Sequence, residues 1–217
     1  MKKIYLSPSN QVNNIYAYGN TNEMVECNKI SEFAKNALLR CKFDVKKAPQ
    51  GQSINENIKE SNSWKSNLHI PIHTNAYNGA VTGGTLVMIY SMSKENEKAG
   101  KAILNAVSPI SPGPDYSLKI NPNLAELNKT NAIAVYLEIE MHDTRHGAEW
   151  IINNTKSIGE AICKGVCNYY ETPYEPENNS NSKLYKVQIG TFKEKSNAEK
   201  CLQDAKKCGF DDAFILF

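Results

Sequence analysis

Short apolar runs alternate with longer helical patterns along the first 170 residues, and this alternation limits the possible folds more than any other feature. Five segments have the length and the β-branched content of strands: residues 3–7, 43–49, 68–76, 83–90 and 130–143. Four segments have apolar residues at helical spacing: 23–42, 53–67, 93–110 and 147–170. The order predicts an α/β fold with a mostly parallel central sheet and helices on both faces.

The first long helix carries the clearest boundary signals in the sequence. Asn22 precedes it, and an Asn side chain at this position accepts a hydrogen bond from a free N–H of the first turn. Its apolar residues recur at helical spacing and predict a buried face: Ile30, Phe33, Ala34, Ala37 and Leu38. Later in the chain, the continuous apolar run from Ile133 to Leu137 predicts a strand that is buried on both sides.

Composition and charge exclude several classes of partner. The chain has 217 residues and a net charge of +2, without a cluster of Lys and Arg, so nucleic acid is not a predicted partner. No apolar run approaches the roughly 20 residues of a membrane span. The N-terminus has two lysines and only three apolar residues after them, so no signal peptide is predicted. We therefore expect synthesis in the cytoplasm and no membrane association.

The six cysteines do not have the spacing of a disulfide framework. No Cys-x-x-Cys motif occurs, and the cysteines fall at helical intervals within three predicted helices: Cys27 and Cys41, Cys163 and Cys167, and Cys201 and Cys208. Free cysteines at such intervals are typical of buried thiols in a reducing compartment.

The chain changes character after the last long helix. Residues 171–183 contain two prolines, acidic residues and an Asn/Ser tract, which together predict a linker. Residues 184–217 follow with a strand, helix, strand pattern. The predicted organisation is a main domain over 1–170, a linker over 171–183 and a small β-α-β module over 184–217.

Three ionisable side chains stand where strands or helices meet loops. His73 lies at a strand exit, Glu138 ends the apolar run of a buried strand, and Glu23 opens the first long helix. A carboxylate such as Glu138 is costly to bury unless it is paired, protonated or bound to metal, which makes it a candidate general base. The alternatives are an ion pair of Glu138 with a lysine or with Arg145, and a helix-dipole role for Glu23 and for Glu26, which opens the same helix. Together the three residues suggest a zinc hydrolase.

The motifs around these residues resemble one family. The stretches "IPIHTNAYNG", "GGTLVMIYS" and "IAVYLEIEMHDTRHGAEWI" occur in the order and spacing of the zinc-dependent N-acetylmuramoyl-L-alanine amidases of bacterial and phage cell-wall lysis. The resemblance covers residues 1 to about 170. It implies that the substrate is peptidoglycan and that the enzyme hydrolyses the amide between N-acetylmuramic acid and L-alanine of the stem peptide.

The resemblance also assigns roles to individual residues. It makes His73 a Zn²⁺ ligand, Glu138 the catalytic acid and base, and Glu23 a second ligand, with Glu26 as the alternative. The family's first histidine ligand has no counterpart, because Asn10 stands in its place within "YLSPSNQ".

An amide oxygen is a poorer zinc ligand than an imidazole nitrogen, so the third ligand stays open. Asn10 or its neighbour Gln11 binds the metal weakly, His142 or His146 takes the position, or the domain binds wall material without cutting it. A hydrolase that cuts peptide bonds on the same frame is a further alternative.

The C-terminal module resembles half of a SPOR peptidoglycan-binding domain. The similarity lies in "YKVQIGTF" and "NAEKCLQDAKKCGF". A half module leaves a sheet edge unpaired, which implies pairing with a second copy in a homodimer. For the whole chain we expect a phage-type endolysin or a mother-cell lytic enzyme of sporulation. Such an enzyme reaches the wall after lysis or holin-type export.

Overall fold

The structure is a computed structural model that describes residues 1–79, 83–177, 187–210 and 213–215. The chain divides into two compact units, Met1–Glu177 and Asn178–Phe217, and each is described here by itself. Within the described residues, no helix has an apolar stretch long enough to cross a bilayer.

The first unit contains six strands and five α-helices. The strands are β1 (Lys3–Pro8), β2 (Asp44–Lys47), β3 (Leu68–Asn75), β4 (Gly84–Ile89), β5 (Asp115–Ile120) and β6 (Ile133–Met141). The helices are α1 (Glu23–Arg40), α2 (Ile54–Trp64), α3 (Lys94–Val107), α4 (Ala125–Asn128) and α5 (Arg145–Tyr170). All elements that the sequence predicts in this unit are present, whereas β5 and α4 were not predicted.

The strands form one sheet in the order β2-β1-β3-β6-β4-β5. Every neighbouring pair is parallel except β4 and β6, which are antiparallel. This confirms the predicted α/β class with a mostly parallel sheet. Because β4 runs against β6, its amino end lies at the same edge of the sheet as the carboxyl end of β6.

One face of the sheet is apolar and carries the main core. Leu68, Ile70 and Ile72 of β3 are fully buried there with side chains of α1, α3 and α5. Helices α1 and α5 approach closely, since a Cβ on Gly159 would lie 2.7 Å from the backbone nitrogen of Ala34. The predicted apolar face of α1 is buried except at one residue, Phe33, which is 38% exposed.

The opposite face carries aromatic and ionisable side chains. Strand residues alternate between faces, so His69 and His73 of β3 both lie on this side. Helices α2 and α4 cover the middle of this face, where Ser61 and Glu126 hydrogen bond to His69. The carboxyl end of β3, including His73, extends toward the edge of the sheet.

The first unit continues past the predicted boundary at residue 170. The hydroxyl group of Tyr174 donates a hydrogen bond to Glu160, and the backbone oxygen of Glu175 accepts one from Arg40 at 2.8 Å. Residues 171–177, which the sequence assigned to a linker, therefore pack on the unit that α5 completes. Residues 178–183 of that linker lie outside the described residues.

The second unit contains one described helix, α6 (Lys195–Lys207). It corresponds to the helix of the predicted β-α-β module. Residues 187–192 are described but form no strand, and residues 184–186 lie outside the described part. The likeness to a SPOR domain stays a prediction.

Candidate functional site

The first turn of α1 lies against the carboxyl end of β3 and brings Glu23 to His73. Asn22 caps the helix as predicted, because its side-chain oxygen accepts from the backbone nitrogen of Val25 at 3.1 Å. This geometry places Glu23 Oε1 at 2.8 Å from His73 Nδ1 and 3.4 Å from the backbone nitrogen of Thr74. Both side chains of the pair are buried.

Each member of the pair stabilises the charge on the other. Burial alone raises the pKa of Glu23, but the hydrogen bond and the charge of His73 lower that pKa below its usual value. Burial alone lowers the pKa of His73, but the Glu23 hydrogen bond and the charge of Glu138 raise it overall. The ring of His73 also stacks on Tyr136, with centroids 4.5 Å apart.

Of the two neighbouring amides, Gln11 contacts His73. Gln11 Nε2 lies 3.3 Å from His73 Nδ1, and Gln11 Oε1 accepts a hydrogen bond from Asn14. Asn10, which the resemblance places at the first ligand position, donates from Nδ2 to the backbone oxygen of Gln52 at 3.0 Å. The amide that reaches His73 Nδ1 is therefore that of Gln11. It lies one residue after Asn10, the position that the resemblance assigns to the first ligand.

Glu138 lies directly opposite His73 across the parallel pair of β3 and β6. Its Oε2 atom is buried and has no hydrogen-bond partner among the described residues. Burial raises the pKa of Glu138 to about 7, while the charge of His73 opposes this shift and that of Glu23 adds to it. The alternative of an ion pair with Arg145 does not form, since that guanidinium lies over the Tyr18 ring.

Glu140, two residues further along β6, has a different environment. Its Oε1 accepts from the backbone nitrogens of Gly84 and Met141, and its Oε2 accepts from the backbone nitrogen of Gly113. A Cβ on Gly83 would lie 1.5 Å from Glu140 Oε1, so only glycine leaves room for this carboxylate. Glu140 therefore holds the entry to β4, and Glu138 is the carboxylate with an unused oxygen.

Glu26, the alternative to Glu23, does not contact His73. Its Oε1 accepts from Thr21 Oγ1 at 2.7 Å and from Lys29 Nζ at 2.9 Å. Glu26 therefore closes the first turn of α1 against its own neighbours.

The two histidines named as substitutes for the missing ligand lie elsewhere. His142 Nδ1 hydrogen bonds to Thr74, and its ring stacks on Tyr16 at 5.1 Å. His146 is exposed in the first turn of α5. In the described part of the chain, no third His, Cys, Asp or Glu joins His73 and Glu23 closely enough to complete a metal-binding group.

A cavity of about 260 Å³ adjoins this edge of the sheet. Leu86 of β4, the register partner of Glu138, lines it together with Asn75, Tyr77 and Lys119. The loop after β3 is held by Asp143, whose Oδ2 accepts from the backbone nitrogens of Tyr77 and Gly79. These hydrogen bonds fix the backbone of Tyr77 beside the cavity, and its ring is exposed there.

Sequence reasoning missed two features of the site and left a third open. Tyr136 has a readable signal, since it lies one strand period before Glu138 and shares its face. Gln11 was named together with Asn10 as a residue that binds the metal weakly. The cavity wall formed by β5 was also missed, although Tyr116, Leu118 and Ile120 alternate with polar residues at the period of a strand.

These observations define an α/β protein with an ionisable site at the carboxyl edge of a mixed sheet. The chain belongs to the N-acetylmuramoyl-L-alanine amidase family, whose sequence model matches residues 13–168.

Two curated proteins are similar in sequence. A sporulation-specific N-acetylmuramoyl-L-alanine amidase of Bacillus subtilis is 28% identical over 173 residues, which cover 76% of this chain and 62% of that protein. An uncharacterised 38.4 kDa protein of Clostridium perfringens is 29% identical over 167 residues, covering 70% of this chain and 46% of that protein. The chain thus spans about half to three fifths of the curated relatives it matches.

Solved structures show the same fold at low identity. The catalytic domain of CwlV, an amidase of Bacillus (Paenibacillus) polymyxa, has a TM-score of 0.72 at 14% identity, covering 80% of this chain and all of that domain. An amidase of Clostridium difficile has a TM-score of 0.71 at 18% identity, covering 78% and 97%. The catalytic domain of an endolysin targeting Clostridia difficile has a TM-score of 0.64 at 23% identity, covering 77% and 98%.

Proposed function

We propose that the chain is a peptidoglycan hydrolase that cleaves the amide between N-acetylmuramic acid and L-alanine of the stem peptide. Family membership supports the reaction class. The observation that carries the proposal is the position of Glu138, which lies opposite the His73–Glu23 pair with an unused buried oxygen and a pKa near 7. A carboxylate with these properties can accept and return a proton near neutral pH.

The donors at His73 fit a zinc ion. One imidazole nitrogen and one carboxylate oxygen, both preferred zinc donors, lie 2.8 Å apart at Nδ1 of His73 and Oε1 of Glu23. The amide of Gln11 faces the same nitrogen, and a half-turn of that amide would present its oxygen. We therefore propose His73, Glu23 and Gln11 as the residues that hold Zn²⁺, with Asn10 in a supporting position.

The residues of the site would then have separate roles in the reaction. When bound, the ion polarises the scissile carbonyl and lowers the pKa of the attacking water. Glu138 accepts the proton of that water and returns it to the departing amine of L-alanine. The adjoining cavity would hold the stem peptide, with the Tyr77 ring against apolar groups and the exposed Lys119 facing a peptide carboxylate.

The test is a Glu138→Gln variant with Glu126→Gln as its matched control. Glu126 is also a buried carboxylate on this face, where it accepts from Ser7 and His69, and glutamine keeps an acceptor oxygen there. We expect Glu138→Gln to lower the release of free peptide N-termini from purified walls by about 10²- to 10⁴-fold. Wild-type release from a folded Glu138→Gln variant would remove this residue from the mechanism.

A second candidate function is wall binding without hydrolysis. It is favoured by the amide side chains that replace the first histidine ligand, since they weaken any zinc site. Anomalous scattering at the zinc edge from crystals of zinc-replete protein separates the two: an ion at His73 supports the enzyme, and none at that position supports the binder. Mass spectrometry of the released muropeptides would show whether a peptide bond is cut instead.

The names of two relatives support a proposal for the cellular setting. The Bacillus subtilis relative is named sporulation-specific, and one structural neighbour is an endolysin domain. We propose that this chain also acts on the cell wall during lysis of a mother cell or a phage host, after release from the cytoplasm. Residues 184–217 would add wall affinity as a SPOR-like module, paired between two copies of the chain.

A further inference from the structure

Three cysteine side chains meet inside the first unit, away from the His73 site. Cys41 follows the last residue of α1, and Cys163 and Cys167 lie one turn apart on α5. Their Sγ atoms all lie within 4.8 Å of one another, and those of Cys41 and Cys163 are 3.6 Å apart. All three residues are buried.

The sulfur separations suit a shared ion. A zinc–sulfur bond is about 2.3 Å, which places two sulfurs of a tetrahedral site about 3.8 Å apart. A disulfide requires about 2.05 Å between sulfurs, and the 3.6 Å between Cys41 and Cys163 is far longer. The trio therefore has the spacing of metal ligands without the bond of a disulfide.

The surroundings act differently on the three thiols. The backbone N–H of Glu175 donates to Cys41 Sγ at 3.3 Å, and such a bond stabilises negative charge on sulfur. The hydrogen bond from Cys163 lowers the pKa of Cys167, against the opposing effect of burial. The hydrogen bond with Cys167 raises the pKa of Cys163, and burial raises that of Cys41, so coordination of an ion has to displace the protons of these two thiols.

We propose that Cys41, Cys163 and Cys167 bind one thiophilic divalent cation of the zinc class, at a structural site independent of the His73 site. Each remaining thiol releases its proton to solvent as its sulfur coordinates the ion. The carbonyl oxygen of Glu175, 3.8 Å from Cys41 Sγ, is an oxygen donor available for the fourth position. The ion ties the end of α1 to α5 beneath residues 171–177, the segment that completes the first unit.

Cadmium is the probe, because thiolate–cadmium bonds give an ultraviolet charge-transfer band that imidazole and carboxylate ligands do not give. The titration uses the full chain with Cys201→Ser and Cys208→Ser, since these two cysteines are the more exposed ones. We expect one tightly bound Cd²⁺ per chain with the full band, and a rise in melting temperature at stoichiometric Cd²⁺. Failure of amidase activity would not affect this result, because the band reports sulfur ligation alone.

Adding Cys163→Ser to this background should weaken Cd²⁺ binding at least about 100-fold, as expected for loss of a ligand. Cys27→Ser is the matched control, since Cys27 is a fully buried thiol of α1 outside the trio, and the band should persist. The proposal is overturned if the background protein shows no thiolate–cadmium band, or if Cys163→Ser leaves the band unchanged. The background titration decides the matter even if Cys163→Ser does not fold.

Discussion

Strand β3 carries two histidines on one face, four residues apart. Each histidine pairs with a glutamate of another element, and the two pairs differ in their surroundings. His69 uses both ring nitrogens: Nε2 lies 3.1 Å from Glu126 Oε1, and Nδ1 lies 3.0 Å from Ser61 Oγ. His73 uses only Nδ1 in hydrogen bonds with described residues, and Glu23 Oε1 is its closest partner at 2.8 Å. Both rings stack on a tyrosine.

The difference follows from position along the strand. His69 lies in the middle of β3 under α2 and α4, where Ser7 also donates to Glu126 and completes a closed network. His73 lies at the carboxyl end, where the strand meets loops and where Glu138 keeps an unused oxygen. A fully hydrogen-bonded buried pair adds stability and specificity of packing, whereas an incompletely bonded one at a sheet edge is available for binding and catalysis.

The largest expected effect is on catalysis. His73→Ala removes the imidazole that is proposed to bind zinc, and the loss of the proposed metal polarisation, worth several kcal/mol, should lower wall hydrolysis by about 10³-fold or more. The variant also leaves the buried Glu23 without its ring partner, so stability should fall as well and activity is compared per folded molecule. Turbidity loss of a wall suspension measures the rate, and circular dichroism confirms the fold.

His69→Ala is the control for that comparison. It leaves the Glu126 carboxylate buried without its ring partner, which should lower the free energy of unfolding by about 3 kcal/mol or more. Activity per folded molecule should stay near the wild-type value. Comparable losses of activity in both folded variants would contradict the division between a structural and a functional pair.

The next effect concerns pH and uses the metal-free protein. Burial raises the pKa of Glu138 from 4.5 to about 7, so the folded state holds this proton more tightly than the unfolded state. Stability from this residue is therefore lost as pH rises from about 4.5 to 7. Glu138→Gln should raise the free energy of unfolding by up to about 3 kcal/mol at pH 8 and hardly change it at pH 4.

Urea unfolding at both pH values in the presence of a chelator measures this difference. Glu140→Gln is the matched comparison on the same strand, and it should destabilise the protein at pH 8 because it weakens bonds to Gly84 and Gly113. An equal change in the free energy of unfolding at pH 4 and pH 8 would show that burial does not raise the pKa of Glu138.

The smallest expected effect separates the two amides. Gln11→Ala should weaken zinc binding at the His73 site by about 10-fold, and Asn10→Ala by less, since Gln11 contacts His73 and Asn10 contacts Gln52. Calorimetric titration of zinc into chelator-treated protein, carrying Cys163→Ser to silence the thiols, measures both affinities. A larger loss of zinc affinity in Asn10→Ala than in Gln11→Ala would indicate that Asn10 is the ligand, at the position that the resemblance assigns to a histidine.

The extent to which sequence predicted this molecule differs between fold and site. The buried strands and the long helices were readable because the burial of one face imposes a period of two or 3.6 residues, as in β3 and α1. Strand β5 has a period of two in Tyr116, Leu118 and Ile120 that was not used, whereas the four-residue α4 is too short to show a period. Residues 171–177 look like a linker because Tyr174 is their only aromatic residue. For the site, motif positions identified His73, Glu23 and Glu138.

Periodicity and motif order are sufficient to predict the α/β class, the order of most elements and the three ionisable residues at one edge of the sheet. The packing of the elements was needed to show which of two adjacent amides reaches His73, which of two glutamates on β6 keeps a free oxygen, and that three distant cysteines lie together. The physical reason is that periodicity reports burial along a single element. Contacts between side chains depend on how different elements pack, and no local pattern encodes that packing.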